Sequence, residues 1–545
     1  MTRGSSKLAF WLFAFVSQLK LGPVCAERRQ PSARPLQAAA WGHDVAPSAS
    51  TVILLQVTSR RTSTEGSSML ALLPACVVVA IGAAVVFAVL RPYLKGKESA
   101  KIALAAGLVA HHMEGILFTY ILTDALTLSK AFDEDAHFSG LLLGVHKMGT
   151  ASGSFVLWCA MQHNSETWRA GRPIFRSAAT LQLIGVTAFT MFSCGMFALP
   201  HSTALHFMLL ARFITGLGGG MMIFLTLTLF GHMLPTEDRS AWNVTFFLAG
   251  VSGLGVGPLL AACVRQANMF LGIPAQHMLS SVLLALPLLP LMQIPSLVFY
   301  PSLADVVDES VPLSVSSTQD ARLQGVVVLL CVAMQVFRNL SISSLEAGVS
   351  LILERELLWS PVAGGIAISA VVSSVITANW LYRALARQMS SYAVQHIMNA
   401  FMFLGACVIY CFAPPAILLL GTAVCFAASA LSGGLIMATL QRYVLPAGSM
   451  LDLNKAMLLA VVGADLLGRG GGPVLARGIV VHRGRGFFAA VQIAMAVIIA
   501  LLHELASRLA ARCDAGGESA RDLKKVEQDN ISHHNLNSCG SEGPQ

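Results

Sequence analysis

The chain has 545 residues, of which 55% are hydrophobic and only 12% carry a charge. A soluble domain carries about 25% charged residues. This composition and the mean hydropathy of +0.68 therefore exclude a soluble globular protein and predict an all-α polytopic membrane protein in a lipid bilayer. The formal net charge of +8 does not indicate a nucleic-acid partner, because the lysines and arginines lie between apolar runs, where such residues orient helices.

Residues 1–26 have the pattern of a secretory signal peptide. Arg3 and Lys7 precede a short apolar core that is too short to span a bilayer, and small residues follow at 24–26. Residues 27–68 are rich in Arg, Ser, Ala and Thr and poor in acids, which predicts a disordered leader. Two alternatives stay open: a transit part of a bipartite organelle signal, and a mature protein that begins near Met69.

Thirteen apolar runs follow as candidate membrane spans. They cover residues 70–90, 102–128, 139–161, 177–198, 205–234, 241–264, 278–299, 323–350, 360–383, 393–412, 415–440, 455–477 and 487–510. The first is an extra helix ahead of a twelve-helix core. The polar stretch 300–322 is a central loop, which divides the core into six-helix bundles at 102–299 and 323–510, and residues 511–545 are predicted to be a disordered polar tail.

A glycine–proline pattern occurs twice in the chain, about 215 positions apart. Each copy has a Gly-Gly pair that opens one apolar run and a Gly-x-x-x-Gly-Pro element in the next. The two copies are Gly219-Gly220 with Gly253, Gly257 and Pro258, and Gly433-Gly434 with Gly468, Gly472 and Pro473. A repeat of this length in an apolar chain predicts two equivalent membrane bundles. Close packing and helix kinking explain the elements fully, so they predict architecture and not substrate.

The charges of the loops predict that both ends of the twelve-helix core lie in the cytosol. On this topology the cytosolic loops receive Arg91, Lys95, Lys97, Lys101, Arg169, Arg172, Arg176, Arg383, Arg387, Arg442, Lys455, Arg508, Arg512, Lys524 and Lys525. The opposite side receives mainly the acidic segment 133–135 and turns with little charge. One loop violates the rule, since Arg477, Arg483 and Arg485 are predicted to lie outside.

Arg212 begins the most specific local motif, and Gly216, Gly218 and Gly220 follow it in the same apolar run. An arginine inside a membrane helix costs several kcal/mol unless it has a partner or water. Glycines let a neighbouring backbone come close. The pattern predicts a charge held at a tight helix contact; the alternative is an arginine near the helix end that extends to the membrane surface.

These motifs resemble those of the major facilitator superfamily. The segment from Arg212 to Gly220 is similar to the family's fourth-helix motif. The segment from Gly253 to Pro258 is similar to its fifth-helix motif, which is common in proton-coupled antiporters. The family's motif between helices two and three is altered here, because Trp168-Arg169-Ala-Gly171-Arg172 keeps a Gly-Arg pair without the usual upstream Asp.

The second half is similar to the branch that includes lysosomal CLN7-type proteins and the membrane portion of vacuolar SPX-linked phosphate transporters. Glu346 and the segments 359–361 and 364–365 carry this similarity, and looser matches are Asn454, Gly463 and Arg469. The resemblance covers roughly residues 100–510. It implies a twelve-helix core of two pseudo-symmetric six-helix bundles, with the glycine–proline elements in helices five and eleven.

Ionisable side chains inside the predicted spans are the functional candidates. Glu114, near the middle of the first core helix, is a candidate for proton exchange or, alternatively, for a structural hydrogen bond. Lys147 is expected to pair with Glu114 or Asp124. Arg338 and Glu346 lie eight residues apart in the seventh core helix and share a face. Glu346 is expected to occupy the place of Glu114 in the second half.

Asp465 and Arg469 are four residues apart, so they are expected to pair within their own helix, in a structural role. His111, His112 and His146 do not predict a metal site, because adjacent histidines point to different sides of a helix. We expect no cofactor and no enzymatic activity, since the sequence contains no catalytic constellation.

The sequence predicts a secondary active transporter that moves a small solute by alternating access between two halves. Proton coupling through Glu114 or Glu346, with Arg212 as counter-charge, is a further hypothesis. The alternative is a receptor or interaction protein on a transporter scaffold. The protein is expected to be a monomer, and the branch resemblance favours an endomembrane or vacuolar-type membrane over the plasma membrane.

Overall fold

The computed structural model describes residues 65–96, 98–197, 199–304, 318–410, 414–446 and 448–538. The predicted signal peptide, nearly all of the predicted leader and most of the predicted central loop lie outside these residues. Within them the chain forms α-, 3-10 and π-helices and no β-strand. The α-helices are α1 (Glu65–Gly96), α2 (Ser99–Thr119), α3 (Ala125–Ala131), α4 (Ala136–His163), α5 (Gly171–Ser193), α6 (His201–Met233), α7 (Thr236–Phe270), α8 (Met278–Ala285), α9 (Ile294–Phe299), α10 (Thr318–Arg355), α11 (Pro361–Ala386), α12 (Ser391–Tyr410), α13 (Pro415–Tyr443), α14 (Leu453–Gly463) and α15 (Gly471–Ser538).

Eleven segments of the described chain are long and apolar enough to cross a membrane. One of them, Leu453–Asp514, is 62 residues long and breaks at Gly484 (φ 76°), so it contains two crossings. The helix α4 has a lower hydropathy because it is rich in Gly, Ser, His and Lys, but its 28 residues pack along α6 as a further crossing. The predicted all-α fold of an extra helix plus twelve core helices is confirmed.

Three crossings depart from regular α-helix, each for a local reason. The first core crossing ends at Thr119, and the short helix α3 continues the chain after a turn. The sixth core crossing consists of α8, a 3-10 segment Leu286–Gln293 and α9. It is irregular because Pro287, Pro290 and Pro295 lack the N–H that an α-helix needs. The eleventh core crossing contains a π-helical segment, Ala464–Gly470, between α14 and α15.

The glycine–proline elements pack in the same way in both halves. In α7, added Cβ atoms on Gly253 and Gly257 would meet the carbonyl oxygens of His112 and Ile116 in α2. In the eleventh crossing, added Cβ atoms on Gly468 and Gly472 would meet the carbonyl oxygens of Val336 and Leu340 in α10, at 2.9 and 3.1 Å. Each element therefore brings its helix against the first helix of its own half.

These contacts also align α2 with α10. His112 corresponds to Val336 and Ile116 to Leu340, so the position of Glu114 corresponds to that of Arg338. An independent contact agrees: a Cβ on Gly219 would lie 2.5 Å from Glu114 Cγ, and a Cβ on Gly433 would lie 2.6 Å from Arg338 Cζ. The prediction that Glu346 takes the place of Glu114 is wrong.

The two ends of the bundle are named here by one residue each. The Gly484 end carries the described residues of the connections at 120–135, 194–197, 199–200, 271–274, 356–360 and 414, together with Gly484. The Trp168 end carries those at 164–170, 234–235, 300–304, 387–390, 444–446 and 448–452. The second arm of α15 runs to the Trp168 end and continues as helix to Ser538, beyond residue 511, where the sequence predicts a tail without structure. Asp514 contacts Tyr443 and Arg442, which extends the packed part of this arm.

Candidate functional site

A cluster of charged side chains lies in the interior of the bundle. Its members come from both halves and are all at most 8% exposed. They are Glu114 of α2, Lys147 of α4, Arg212 of α6, Arg338 and Glu346 of α10, and Asp465 and Arg469 of the π-helical segment. Since charges in a membrane interior are costly without partners, the partners of each one indicate its role.

Glu114 is held by a network within the first half. Its Oε1 atom lies 2.5 Å from Lys147 Nζ and 3.1 Å from His146 Nε2, and it accepts a hydrogen bond of 3.0 Å from Thr150 Oγ1. Lys147 is thus the counter-charge of Glu114, and Asp124 pairs instead with Arg265. The Oε2 atom of Glu114 has no hydrogen-bond partner among the described residues. The arrangement fixes α2 to α4 by a buried, hydrogen-bonded ion pair.

Arg212 is fully buried and holds the backbone of α2. Its two Nη atoms donate to the carbonyl oxygens of Leu117 and Phe118 at 3.0 and 3.2 Å. The glycines that follow it let α4 come close, because Cβ atoms on Gly216 and Gly220 would clash with the α4 backbone. A charge held at a tight helix contact is what the motif predicts; the alternative of a side chain extended to the membrane surface is wrong. Arg212 donates to carbonyl groups, whereas Glu114 has Lys147 as its ion-pair partner.

Arg338 makes the corresponding contact in the second half. It lies on the first helix of its half, α10, and contacts the fourth helix, α13. Its Nε donates to Gln335 Oε1 at 2.9 Å and its Nη1 to the carbonyl of Ser429 in α13 at 3.2 Å. The guanidinium lies 5.1 Å from the ring of Phe247 in the first half. Nη2 is buried and has no partner within the described ranges. The first half thus joins its first and fourth helices with an arginine on the fourth, and the second half uses an arginine on its first.

Glu346 is buried, and its carboxyl group makes no hydrogen bond to a residue that the structure describes. Both of its carboxyl oxygens are enclosed and neither has a partner in the described chain. Arg469 and Lys147 lie within electrostatic range but do not form ion pairs with it. A carboxyl group in such surroundings is stable when it carries a proton, because a buried, unpaired charge is costly.

The prediction that Asp465 and Arg469 pair with each other is wrong. They lie in a π-helical segment, in which residues five apart and not four apart are bonded. Arg469 Nε donates instead to Asn339 Oδ1 in α10 at 2.9 Å. Asp465 makes no hydrogen bond or ion pair to any residue that the structure describes, although it interacts electrostatically with Lys147 and Arg469. The site therefore has two carboxyl groups without fixed partners, Glu346 and Asp465.

The cluster is closed at the Gly484 end by contacts between the halves. Arg477 of α15 is fully buried; its Nη1 donates to Ser139 Oγ in α4 and its Nη2 to the carbonyl of Leu122 at 3.3 Å. Gly140 and Gly144 let α4 approach the backbone of Pro473 and Gly470. Sequence reasoning missed Arg477, which it placed in an outside loop. Its violation of the loop-charge rule was the available signal.

The Trp168 end is closed as well. Asn243 Nδ2 of α7 donates to Gln441 Oε1 of α13 at 2.7 Å, and both residues are buried. Gly434 of α13 leaves room for the backbone of Val244 in α7, and Leu453 packs against Gly231. With both ends packed, the charged cluster is enclosed between the two halves.

Replacing Arg477 by leucine is expected to favour opening of the Gly484 end. The change removes two hydrogen bonds between the halves and leaves the Leu122 carbonyl unpaired, which costs about 1–3 kcal/mol. The open population should rise roughly 5- to 150-fold, because each 1.4 kcal/mol is a factor of ten. Reaction of a cysteine introduced at Leu143, a buried position of α4 one turn after Ser139, with a water-soluble thiol reagent measures this opening. Arg483→Leu, at an exposed arginine of the same helix end, should leave the reaction rate unchanged; an equal rate in the Arg477 and Arg483 variants would contradict the role of Arg477.

Comparison with known proteins shows similarity of structure without similarity of sequence. No family model matches the chain, and no curated protein sequence matches it. The xylose transporter XylE from E. coli, in a partially occluded inward-open conformation, aligns over 74% of this chain and 97% of its own, with 16% identity and a TM-score of 0.53. A XylE structure bound to 6-bromo-6-deoxy-D-glucose, described as a major facilitator superfamily proton:xylose symporter, gives 17% identity over 74% and 95%, with a TM-score of 0.54. The human organic anion transporter MFSD10 gives 14% identity over 75% and 99%, with a TM-score of 0.50. The chain has the major facilitator fold.

Proposed function

We propose that this protein is a secondary active transporter of a small solute, which works by alternating access. The observation that carries the proposal is the enclosed cluster of charged groups between two pseudo-symmetric halves. Such groups in a membrane interior are costly and mark solute, ion or proton pathways. The proteins of similar fold support this choice, since XylE is a xylose transporter and MFSD10 an organic anion transporter.

The solute would bind where the cluster has unused hydrogen-bonding groups. Arg338 Nη2 is buried and without a partner in the described chain. The Asp465 carboxyl group interacts electrostatically with Lys147 and Arg469 but makes no hydrogen bond to a described residue. Among the described residues Arg469 donates from its Nε atom, to Asn339. The site thus offers donors from two guanidinium groups beside a carboxyl group, which suits a polar solute and leaves its charge open.

Proton coupling fits Glu346 better than Glu114. Glu114 is neutralised by Lys147 and held by two further partners, so its carboxylate is stabilised as an ion. Glu346 has no partner in this enclosed conformation and is stabilised by carrying a proton. Opening of either end would admit water to the carboxyl group and let the proton leave, which links proton transfer to the conformational change. Arg469, in electrostatic range of Glu346, then replaces Arg212 as the counter-charge.

The loop charges support a cytosolic Trp168 end. The loop with Arg477, Arg483 and Arg485 was the one exception to the loop-charge rule. Arg477 is buried between helices and is not a loop charge, so the exception is smaller. The signal-like leader and the resemblance of sequence motifs in the second half to the vacuolar and lysosomal branch favour an endomembrane location, and we propose that the protein is a monomer. Localisation of a C-terminally tagged protein, with protease digestion of sealed membranes, tests both placements: a tag exposed on the luminal side would contradict this orientation.

Uptake by purified protein in liposomes tests the proposed function. A panel of sugars, organic anions, amino acids and inorganic phosphate is offered with an imposed pH gradient. We expect at least one solute to accumulate above protein-free liposomes, and a protonophore to abolish the accumulation. If no solute in a broad panel moves, while a pull-down from native membranes shows one stoichiometric protein partner, the interaction-protein alternative is correct instead.

A further inference from the structure

Two histidines face each other across the halves at the Gly484 end. His137 begins α4, and His482 lies two residues before the break at Gly484. Their Nε2 atoms are 2.9 Å apart and their rings are stacked, with centroids at 5.1 Å. His482 is exposed and His137 is half-buried, and both lie outside the charged cluster. The proposed transport mechanism does not use them.

The backbone is arranged to permit this approach. A Cβ on Gly478 would lie 2.7 Å from His137 Cε1, so only glycine leaves room for the imidazole at that point of α15. Gly140, one turn after His137, lets the α4 backbone approach Pro473 and Val474. The two rings are thus held by rigid helices on both sides. A site built on helices is more precise than one built on loops.

The distance between the two nitrogen atoms suits a bridging metal ion. Zinc binds histidine nitrogen at about 2.0–2.1 Å, so two nitrogens in a tetrahedral site lie about 3.3–3.4 Å apart. The two Nε2 atoms are 2.9 Å apart, so they must move apart by a few tenths of an ångström to bind the ion. Small rotations of the two rings provide this movement. Water would fill the other coordination positions, since the pair supplies two protein ligands. Asp133, Glu134 and Asp135 lie just before α4 in the chain.

We propose that His137 and His482 form a site for a divalent transition-metal ion that bridges the two halves. The bound ion links the first turn of α4 to the end of the first arm of α15, and so holds the Gly484 end closed. The consequence for transport rests on the proposed alternating access, whereas metal binding itself does not. Imidazole sites favour Cu²⁺ over Ni²⁺ and Zn²⁺ and do not suit Mg²⁺ or Ca²⁺.

Binding is tested by electron paramagnetic resonance of the full-length protein with one equivalent of Cu²⁺. We expect a Cu²⁺ spectrum with two coordinating nitrogens, which is lost when a large excess of Zn²⁺ displaces the Cu²⁺ and is unaffected by Mg²⁺. Loss of an outer-shell partner alone lowers metal affinity 10- to 100-fold, so His137→Gln and His482→Gln should each lower Cu²⁺ affinity by about 100-fold or more. The matched control is His277→Gln, at a half-buried histidine of the same end. An unchanged two-nitrogen spectrum in the His137 and His482 variants would overturn the site.

The bridging effect is tested separately by distance measurement between spin labels at Phe270→Cys and Leu358→Cys. These two exposed positions belong to different halves at the Gly484 end. Molecules with an open Gly484 end should give longer distances between the two labels. Zn²⁺ at micromolar concentration should remove these longer distances in the protein with both histidines and have no effect in His482→Gln. If Cu²⁺ binds through both histidines but Zn²⁺ leaves the distances unchanged, the bridge is wrong while the proposed transport function stands. If no longer distances exist under any condition, alternating access itself fails.

Discussion

Lys147→Met is expected to lower the free energy of unfolding by about 3–5 kcal/mol, because it leaves the Glu114 carboxylate buried without its counter-charge. The two side chains are 2% and 1% exposed and their charged atoms are 2.5 Å apart, so solvent does not screen the pair. Glu114→Gln combined with Lys147→Met should cost much less than Lys147→Met alone, because no unpaired charge remains. Unfolding of the purified protein in bicelles, measured for the single and double variants, gives the coupling energy.

An exposed ion pair on α2 provides the control for that cycle. Lys101 and Glu98 are three residues apart and about 40% exposed, so solvent screens their interaction and the pair contributes little to stability. Lys101→Met should therefore change stability little. A Lys147→Met variant as stable as Lys101→Met, or a double variant that is no more stable than Lys147→Met, would contradict the role of Glu114 and Lys147 as a buried ion pair.

Glu346→Gln is expected to abolish accumulation driven by a pH gradient while leaving exchange at equal pH intact. Glutamine has nearly the shape of the protonated acid and cannot release a proton, so binding and closure remain possible without coupling. One coupled proton supports up to about tenfold accumulation for each pH unit, since a factor of ten in proton concentration corresponds to 1.36 kcal/mol. With the Glu346→Gln variant, the solute should reach about equal concentrations inside and outside the liposomes. Uptake and counterflow of the solute found by screening, in the same liposomes, measure the two activities.

The matched control for this change is Glu356→Gln. Glu356 lies in the exposed connection just after α10, so its charge is solvated and its loss should affect neither activity. Retention of gradient-driven accumulation in Glu346→Gln would exclude Glu346 as the coupling group. In that case Asp465, the other carboxyl group without a fixed partner in the described chain, becomes the next candidate.

The scaffold was predictable from the sequence because it depends on composition and on repeated small residues. Apolar runs give the thirteen crossings, and the paired glycine–proline elements give the close packing of α7 on α2 and of the eleventh crossing on α10. These features are local in the chain. In a membrane, an apolar run forms a spanning helix and small residues let two helices pack closely. The contact of Arg212 with a neighbouring helix is predictable on the same ground.

The pairing of charges was predictable only in part. Lys147 with Glu114 was one of two expected pairs, but the other contacts depend on loop lengths and helix type. The offset between equivalent positions is 214 from Gly220 to Gly434 but 224 from Glu114 to Arg338, so one repeat length cannot align all helices. Glu346, as a second carboxylate, was assigned to the position equivalent to Glu114, whereas that position holds Arg338. The π-helical turn at 464–470 likewise separates Asp465 from Arg469, and nothing in the spacing of residues indicates it.

Distances at both ends of the same molecule show whether the two halves alternate about the charged cluster. Spin labels at Phe270→Cys and Leu358→Cys report on the Gly484 end, and labels at His163→Cys and Met450→Cys report on the Trp168 end, both across the two halves. We expect conditions that lengthen one distance to shorten the other, with both short in a fraction of molecules that corresponds to the enclosed state. If the two distances stay fixed across pH and all solutes tested, or lengthen together, the two halves do not alternate about the charged cluster and the account is wrong.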